Sequence, residues 1–109
     1  MKAGIIGTGH GSRVLFHAFE LSNIKVYGIS SKHFSKAEKI RKKFKIFKAY
    51  KHWSFLVEDK NIEIVAIAVP PNFQLEIIKK CIKFKKKIFA EKPLSIGYKQ
   101  SKTIIDKLK

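Results

Sequence analysis

Gly7-Thr8-Gly9-His10-Gly11-Ser12 is the stretch whose spacing points most directly to chemistry. Glycines at the first and third positions and a small residue at the sixth approximate the G-x-G-x-x-G turn that cradles a dinucleotide pyrophosphate, with Ser12 in place of the last glycine. Each position has a physical task. Gly7 permits a tight turn, and Gly9 lets the backbone approach phosphate oxygens without a Cβ in the way. A small residue at 12 allows the following helix to pack close to the strand. N–H groups at the start of that helix then face an anion. A glycine-rich turn without a ligand shares the pattern, so context decides. Here the turn follows the apolar strand Ala3-Gly4-Ile5-Ile6 and opens a helix. Gly7, Thr8, Gly9, His10, Gly11 and Ser12 are therefore assigned to cofactor binding.

About 20 residues further on, dinucleotide sites for NAD place an acidic residue on the ribose 2′-hydroxyl. This chain has Ser30-Ser31-Lys32-His33 there. No carboxylate would repel a 2′-phosphate, while two hydroxyls and an ammonium could receive one. Ser30, Ser31 and Lys32 join the cofactor-binding set, and NADP is favoured over NAD. The competing reading is a polar loop at a strand end.

The elements that must position these groups alternate. Strands are expected at Ala3–Ile6, Ile24–Ile29, Ile46–Tyr50, Ile62–Val69 and Ile88–Ala90. Val14, Leu15, Ala18 and Phe19 share one helical face, and Ala37, Ile40 and Phe44 another, with Ser35 and Glu38 spaced as a capping box. Trp53, Phe55, Leu56 and Val57 line a short helix, which makes Trp53 a core residue. Leu75, Ile78 and Ile82 repeat at helical spacing, with Lys79, Lys80 and Lys83 mostly on the other side. Ser95 can cap a last helix carrying Ile104, Ile105 and Leu108. Ile62–Val69 is apolar on both faces after its start, as a central parallel strand must be. A strand–helix period of about 20 to 30 residues is the rhythm of a parallel α/β sheet with helices on both faces. The expected fold is a doubly wound parallel sheet of about five strands, order 3-2-1-4-5, in one domain over residues 1–109.

Composition narrows the function classes. The chain has 109 residues, 45% of them hydrophobic, which is one domain with a real core. Its formal net charge is +16, from 24 Lys+Arg against 8 Asp+Glu, and this raises a polyanion partner. The run Lys79-Lys80-Cys81-Ile82-Lys83-Phe84-Lys85-Lys86-Lys87 is its best feature. Only Arg13 and Arg41 are arginine, however, and no arginine–aromatic platform is evident, so nucleic acid is disfavoured. The single cysteine, Cys81, excludes an internal disulfide and a cysteine-based zinc site. The four histidines lack a repeating ligand spacing, and no metal site is assigned. His17 and His52 read as helix-surface or packing residues. The N-terminus has no signal-peptide pattern, and the longest apolar run is too short to span a bilayer, so the expectation is a cytoplasmic chain with no membrane partner.

Three stretches in order, Gly4-Ile5-Ile6-Gly7-Thr8-Gly9, Val69-Pro70-Pro71-Asn72 and Glu91-Lys92-Pro93, resemble the cofactor-binding Rossmann domain of the Gfo/Idh/MocA oxidoreductases. The resemblance covers essentially the whole chain. It implies a dinucleotide partner, NAD(P), and hydride transfer with a sugar, polyol or related small molecule. It also implies that Val69, Pro70, Pro71 and Asn72 line the nicotinamide side, and that Lys92 is the catalytic ammonium near the nicotinamide and the substrate oxygen. Glu91 and Pro93 would fix the strand end that presents it. Two departures stand out: Gln74 occupies a place where relatives commonly carry His, and Lys85 one where they usually have Gly before strand five.

The family pattern continues past Lys109 with a sixth strand and a substrate domain. The expectation is therefore an incomplete domain, inactive alone, with a sugar-like substrate only when a C-terminal domain or a partner chain supplies it. Alternatives are a non-catalytic NAD(P)-binding module, one half of a split enzyme and, less favoured, a basic nucleic-acid binder.

Overall fold

The structure, a computed structural model, describes residues 1–7 and 10–90, with the backbone alone at 10–12, 71 and 90. Nine elements alternate along it. They are β1 (Lys2–Ile6), α1 (His10–Leu21), β2 (Lys25–Ser30), α2 (Phe34–Phe44), β3 (Lys48–Tyr50), α3 (Trp53–Glu58), β4 (Ile64–Ile67), α4 (Pro71–Lys83) and β5 (Lys87–Ala90). The five strands form one sheet in the order β3-β2-β1-β4-β5, every pairing parallel. This is the doubly wound order expected from the sequence. The expected last helix at 95–108 lies outside the described residues.

Both faces of the sheet are covered. On one, Leu15 and Phe19 of α1 and Ala37 of α2 close over Ala3, Ile5, Val26 and Ile29. On the other, Leu56 and Val57 of α3 and Ile77, Ile78 and Cys81 of α4 close over Ile6, Tyr50, Val65 and Ile67. β4 is buried along all four residues, which explains its lack of alternation. Gly4 allows α3 to sit tightly on β1: a Cβ there would lie 2.6 Å from Leu56 Cδ2. The β1–β2 register shifts between Ala3 and Gly4, so that Ala3 pairs with Val26 and Gly4 with Gly28.

Several local expectations are corrected. α2 starts at Phe34 with His33 at its N-cap and no side-chain cap, so Ser35 and Glu38 form no capping box. Glu38 instead receives Arg41 Nε at 2.7 Å, which holds its carboxyl below the usual value. On α1, Val14 and Ala18 are exposed, Leu15 and Phe19 are buried in the core, and Phe16 packs against it partly buried. On α4 the buried stripe is Gln74, Ile77, Ile78 and Cys81, while Ile82 is turned outward. The stripe is rotated from the predicted face because Gln74 points inward to tie down the loop before the helix.

The helix-to-strand turns use left-handed backbone at Asn23, Lys45 and Lys85, with φ of 59°, 55° and 58°. At the end of α4 the N–H of Lys86 reaches the carbonyl of Cys81 (2.9 Å), the bond that a left-handed residue between them makes possible. The departure noted at Lys85 therefore falls on a position that does turn through positive φ.

Candidate nucleotide cleft

A cleft of about 460 Å³ lies where the carboxyl ends of the strands meet the start of α4. Ile6 and Gly7 enter it from β1, Ser30, Ser31 and Lys32 from β2, and Lys51, His52 and Trp53 from β3. Val69 and Pro70 follow β4, and Phe73, Glu76 and Ile77 of α4 close the far wall. From β1 the chain winds outward in both directions, to β2 on one side and β4 on the other. Ligands of open α/β sheets bind at such a switch point.

Gly7 is fixed by its backbone. Its φ is 115°, its N–H donates to the Ser30 carbonyl (2.8 Å), and a Cβ would run into the carbonyl of Ala68. The turn brings the end of β1 against the ends of both neighbours, since Ala68 N–H donates to Ile6 O at 2.8 Å. Ser30 is fully buried, and its Oγ has no hydrogen-bond partner among the described residues although it belongs to the cleft wall. A buried hydroxyl without a partner is uncommon and suits a site that receives a polar ligand. Lys32 is exposed at the rim.

Gln74 is buried and donates from Nε2 to the Val69 carbonyl at 3.0 Å. It braces the Val69-Pro70 strand end through a neutral amide. Pro71 opens α4 at its first helical position, and Asn72 is exposed outside the cleft lining. His10, Gly11 and Ser12 form the first turn of α1 by their backbone. Thr8, Gly9, Glu91, Lys92 and Pro93 lie outside the described residues.

Seven cleft residues, the core residues Ile6 and Ile77 among them, were not singled out in the sequence as site residues. Lys51 and Glu76 gave no signal beyond charge, and Phe73 none beyond size. His52, expected as a helix-surface or packing residue, is exposed; its Nδ1 accepts the Ser54 N–H at 3.1 Å and so caps α3, and the residue also borders the cleft. Trp53, expected in the core, is only partly buried and forms cleft wall, with Lys80 Nζ 5.7 Å from its ring centroid. Lys80 also pairs with Glu58 at 2.5 Å, linking α4 to α3.

Beneath this wall the α3–β4 connection is held by polar groups. Tyr50 OH donates to Asp59 Oδ2, and burial together with that carboxylate pushes the phenol well above its usual range. Burial pulls Asp59 upward, but the Tyr50 and Asn61 donors outweigh it and leave the carboxyl below its ordinary value. Lys86 is 8% exposed, and its Nζ donates to the carbonyls of Asp59 (2.7 Å) and Ile62. Desolvation lowers its pKa. A lysine from the charged run is thus an internal brace. Cys81 is buried with its thiol pushed up to about 12 by burial, which makes it a packing group rather than a nucleophile.

Among the described residues no group of three or more His, Cys, Asp or Glu could hold a metal, and no helix is long and apolar enough to cross a membrane.

Residues 1–109 match the model of the GFO_IDH_MocA family, an oxidoreductase family with an NAD-binding Rossmann fold. Myo-inositol 2-dehydrogenase of Thermotoga maritima is 32% identical over 112 residues, covering 100% of this chain and 33% of the relative. Among solved structures, a probable dehydrogenase from Thermotoga maritima superposes with a TM-score of 0.86 at 28% identity, over 99% of this chain and 33% of that one. The myo-inositol dehydrogenase from Lactobacillus casei, solved with NAD(H) and myo-inositol, gives 0.80 at 28% identity, over 98% and 32%. The chain thus spans about a third of the length of these relatives.

Proposed function

This chain belongs to the GFO_IDH_MocA oxidoreductase family, and from that premise we propose that its cleft holds the adenosine half of NADP, favoured over NAD, for hydride transfer with a sugar or polyol. The observation that carries this reading is the cleft itself. A glycine that tolerates no Cβ, a buried unpartnered Ser30 hydroxyl and the Lys32 ammonium all meet at the switch point of the sheet. Gly7 would let the backbone approach the pyrophosphate, with Thr8, Gly9 and the first turn of α1 at His10, Gly11 and Ser12 supplying N–H donors. Ser30, Ser31 and Lys32 would take the 2′-phosphate, and the absence of a carboxylate from that strand end favours the extra anion. Val69, Pro70, Pro71 and Asn72 would border the nicotinamide end.

The nicotinamide, when bound, accepts or gives the hydride. In this proposal Lys92 places an ammonium against the substrate oxygen and stabilises negative charge there, held by Glu91 and Pro93. The substrate site itself belongs to sequence matching the other two thirds of the relatives, on this polypeptide or on a partner chain. Residues 1–109 would then bind nucleotide without turnover, in the cytoplasm, with nucleic acid and membrane not among the partners.

Calorimetric titration of the purified chain with NADP⁺ and NAD⁺ tests the reading. NADP⁺ is expected to bind more tightly, and Ser31→Asp to lower its affinity by about tenfold or more while sparing NAD⁺. Failure of both dinucleotides to bind at millimolar concentration would overturn nucleotide binding. An unchanged NADP⁺/NAD⁺ ratio in Ser31→Asp would overturn the cofactor preference alone.

A further inference from the structure

Lys51 was not part of the expected cofactor set, yet it borders the same cleft as Ser31 and Lys32. The parallel register explains why. Ser30 pairs with Tyr50, so β2 and β3 leave the sheet in step, and Lys51 follows β3 at the level where Ser31 follows β2. Both Lys32 and Lys51 are exposed, and neither has an ion-pair partner among the described residues. The one described carboxylate in the lining, Glu76, is carried by α4, across from the two strand ends.

We propose that Lys51 is a second specificity-determining cation of the cleft, sharing with Lys32 the 2′-phosphate of an adenosine nucleotide. The inference rests on the NADP reading above. A phosphate monoester carries a charge of about −1.5 to −2 at neutral pH, so a single ammonium leaves it under-compensated. Two lysines on adjacent strand ends match that charge, and as compact ammonium groups on flexible stems they can converge on one anion without the fixed geometry an arginine fork needs. Cofactor choice is then set by the ends of β2 and β3 together. A sequence search confined to the end of β2 sees only half of it.

The test uses adenosine 2′,5′-bisphosphate and 5′-AMP, which differ only in the 2′-phosphate, titrated into the full chain by calorimetry. Lys51→Ala should weaken the bisphosphate by about tenfold and leave 5′-AMP within about twofold. Lys51→Arg should restore most of the difference. Lys79→Ala, on the exposed face of α4, removes the same charge from the global field and should move both probes little. Equal losses for the two probes in Lys51→Ala, or a loss in Lys79→Ala as large as that in Lys51→Ala, would overturn the proposal. Binding of neither probe to the unaltered chain would overturn nucleotide binding itself. A preference for the bisphosphate that vanishes in Lys32→Ala but survives Lys51→Ala would leave the NADP reading standing and remove Lys51 from it.

Discussion

Replacing Gly7 with alanine perturbs a single methyl group at the point where three strands converge. At φ 115° an L-residue is strained whatever the space, at a cost of roughly 1–3 kcal/mol. The new Cβ also meets the Ala68 carbonyl, which cannot give way cheaply because Ala68 N–H is bonded to Ile6 O at 2.8 Å. Moving Gly7 instead stretches its 2.8 Å bond to the Ser30 carbonyl. Loss of either bond adds about 1 kcal/mol. The total is about 2–4 kcal/mol, a large share of the roughly 5–15 kcal/mol that holds a domain together. At about 4–8 °C per kcal/mol for a domain of this size, the melting temperature should fall by roughly 8–32 °C. Urea and thermal unfolding followed by circular dichroism, without any nucleotide, measure this directly. A loss below about 0.5 kcal/mol would refute the claim that the turn demands glycine for its backbone independently of any ligand.

Further outcomes follow from the braces under the cleft. Lys86→Met leaves the Asp59 and Ile62 carbonyls without their donor and should cost about 2 kcal/mol in urea unfolding, whereas Lys83→Met on the exposed side of α4 should stay within about 0.5 kcal/mol. The Cys81 thiol, raised from 9.0 to about 12, keeps its proton in the fold while the unfolded thiol ionises at the lower value. Its contribution to stability is therefore complete below about pH 9 and is lost as pH rises towards 12, and Cys81→Ala should flatten that part of the pH–stability curve. An unchanged alkaline slope would show that the thiol is not desolvated in the fold.

The sheet order was legible because the apolar runs are short, β-branched and separated by helix-length stretches, and because Ile64–Ile67 carries no alternation. Helix faces were read less well. On α4 the heptad-like repeat of Leu75, Ile78 and Ile82 misplaced the stripe, since a polar residue, Gln74, occupies a core position by bonding the Val69 carbonyl. Ser35 and Glu38 had the right spacing for a cap but sat two positions too late, because the helix starts at Phe34 with His33 at its N-cap. Periodicity cannot see either effect. The β2 half of the cleft was visible through its spacing from the glycine turn. Lys51, Trp53 and Phe73 were not, since only the pairing of β2 with β3 and the placing of α4 bring them alongside it. Lys86 was hidden among its neighbours in the lysine run, and nothing in the sequence separates an internal brace from a solvated cation.

Lys45 and Lys85 each end a helix in left-handed backbone, at φ 55° and 58°, where glycine would sit without penalty. An L-residue other than Gly or Asn/Asp gives up roughly 1 kcal/mol in such a conformation. Both turns also set the helix–strand spacing, the first bringing α2 onto β3 and the second α4 onto β5. The fold therefore carries a standing, correctable strain at two of its corners. It holds a lysine surface even where the backbone argues for another residue, and it leaves untapped a reserve of stability that touches neither the core nor the cleft.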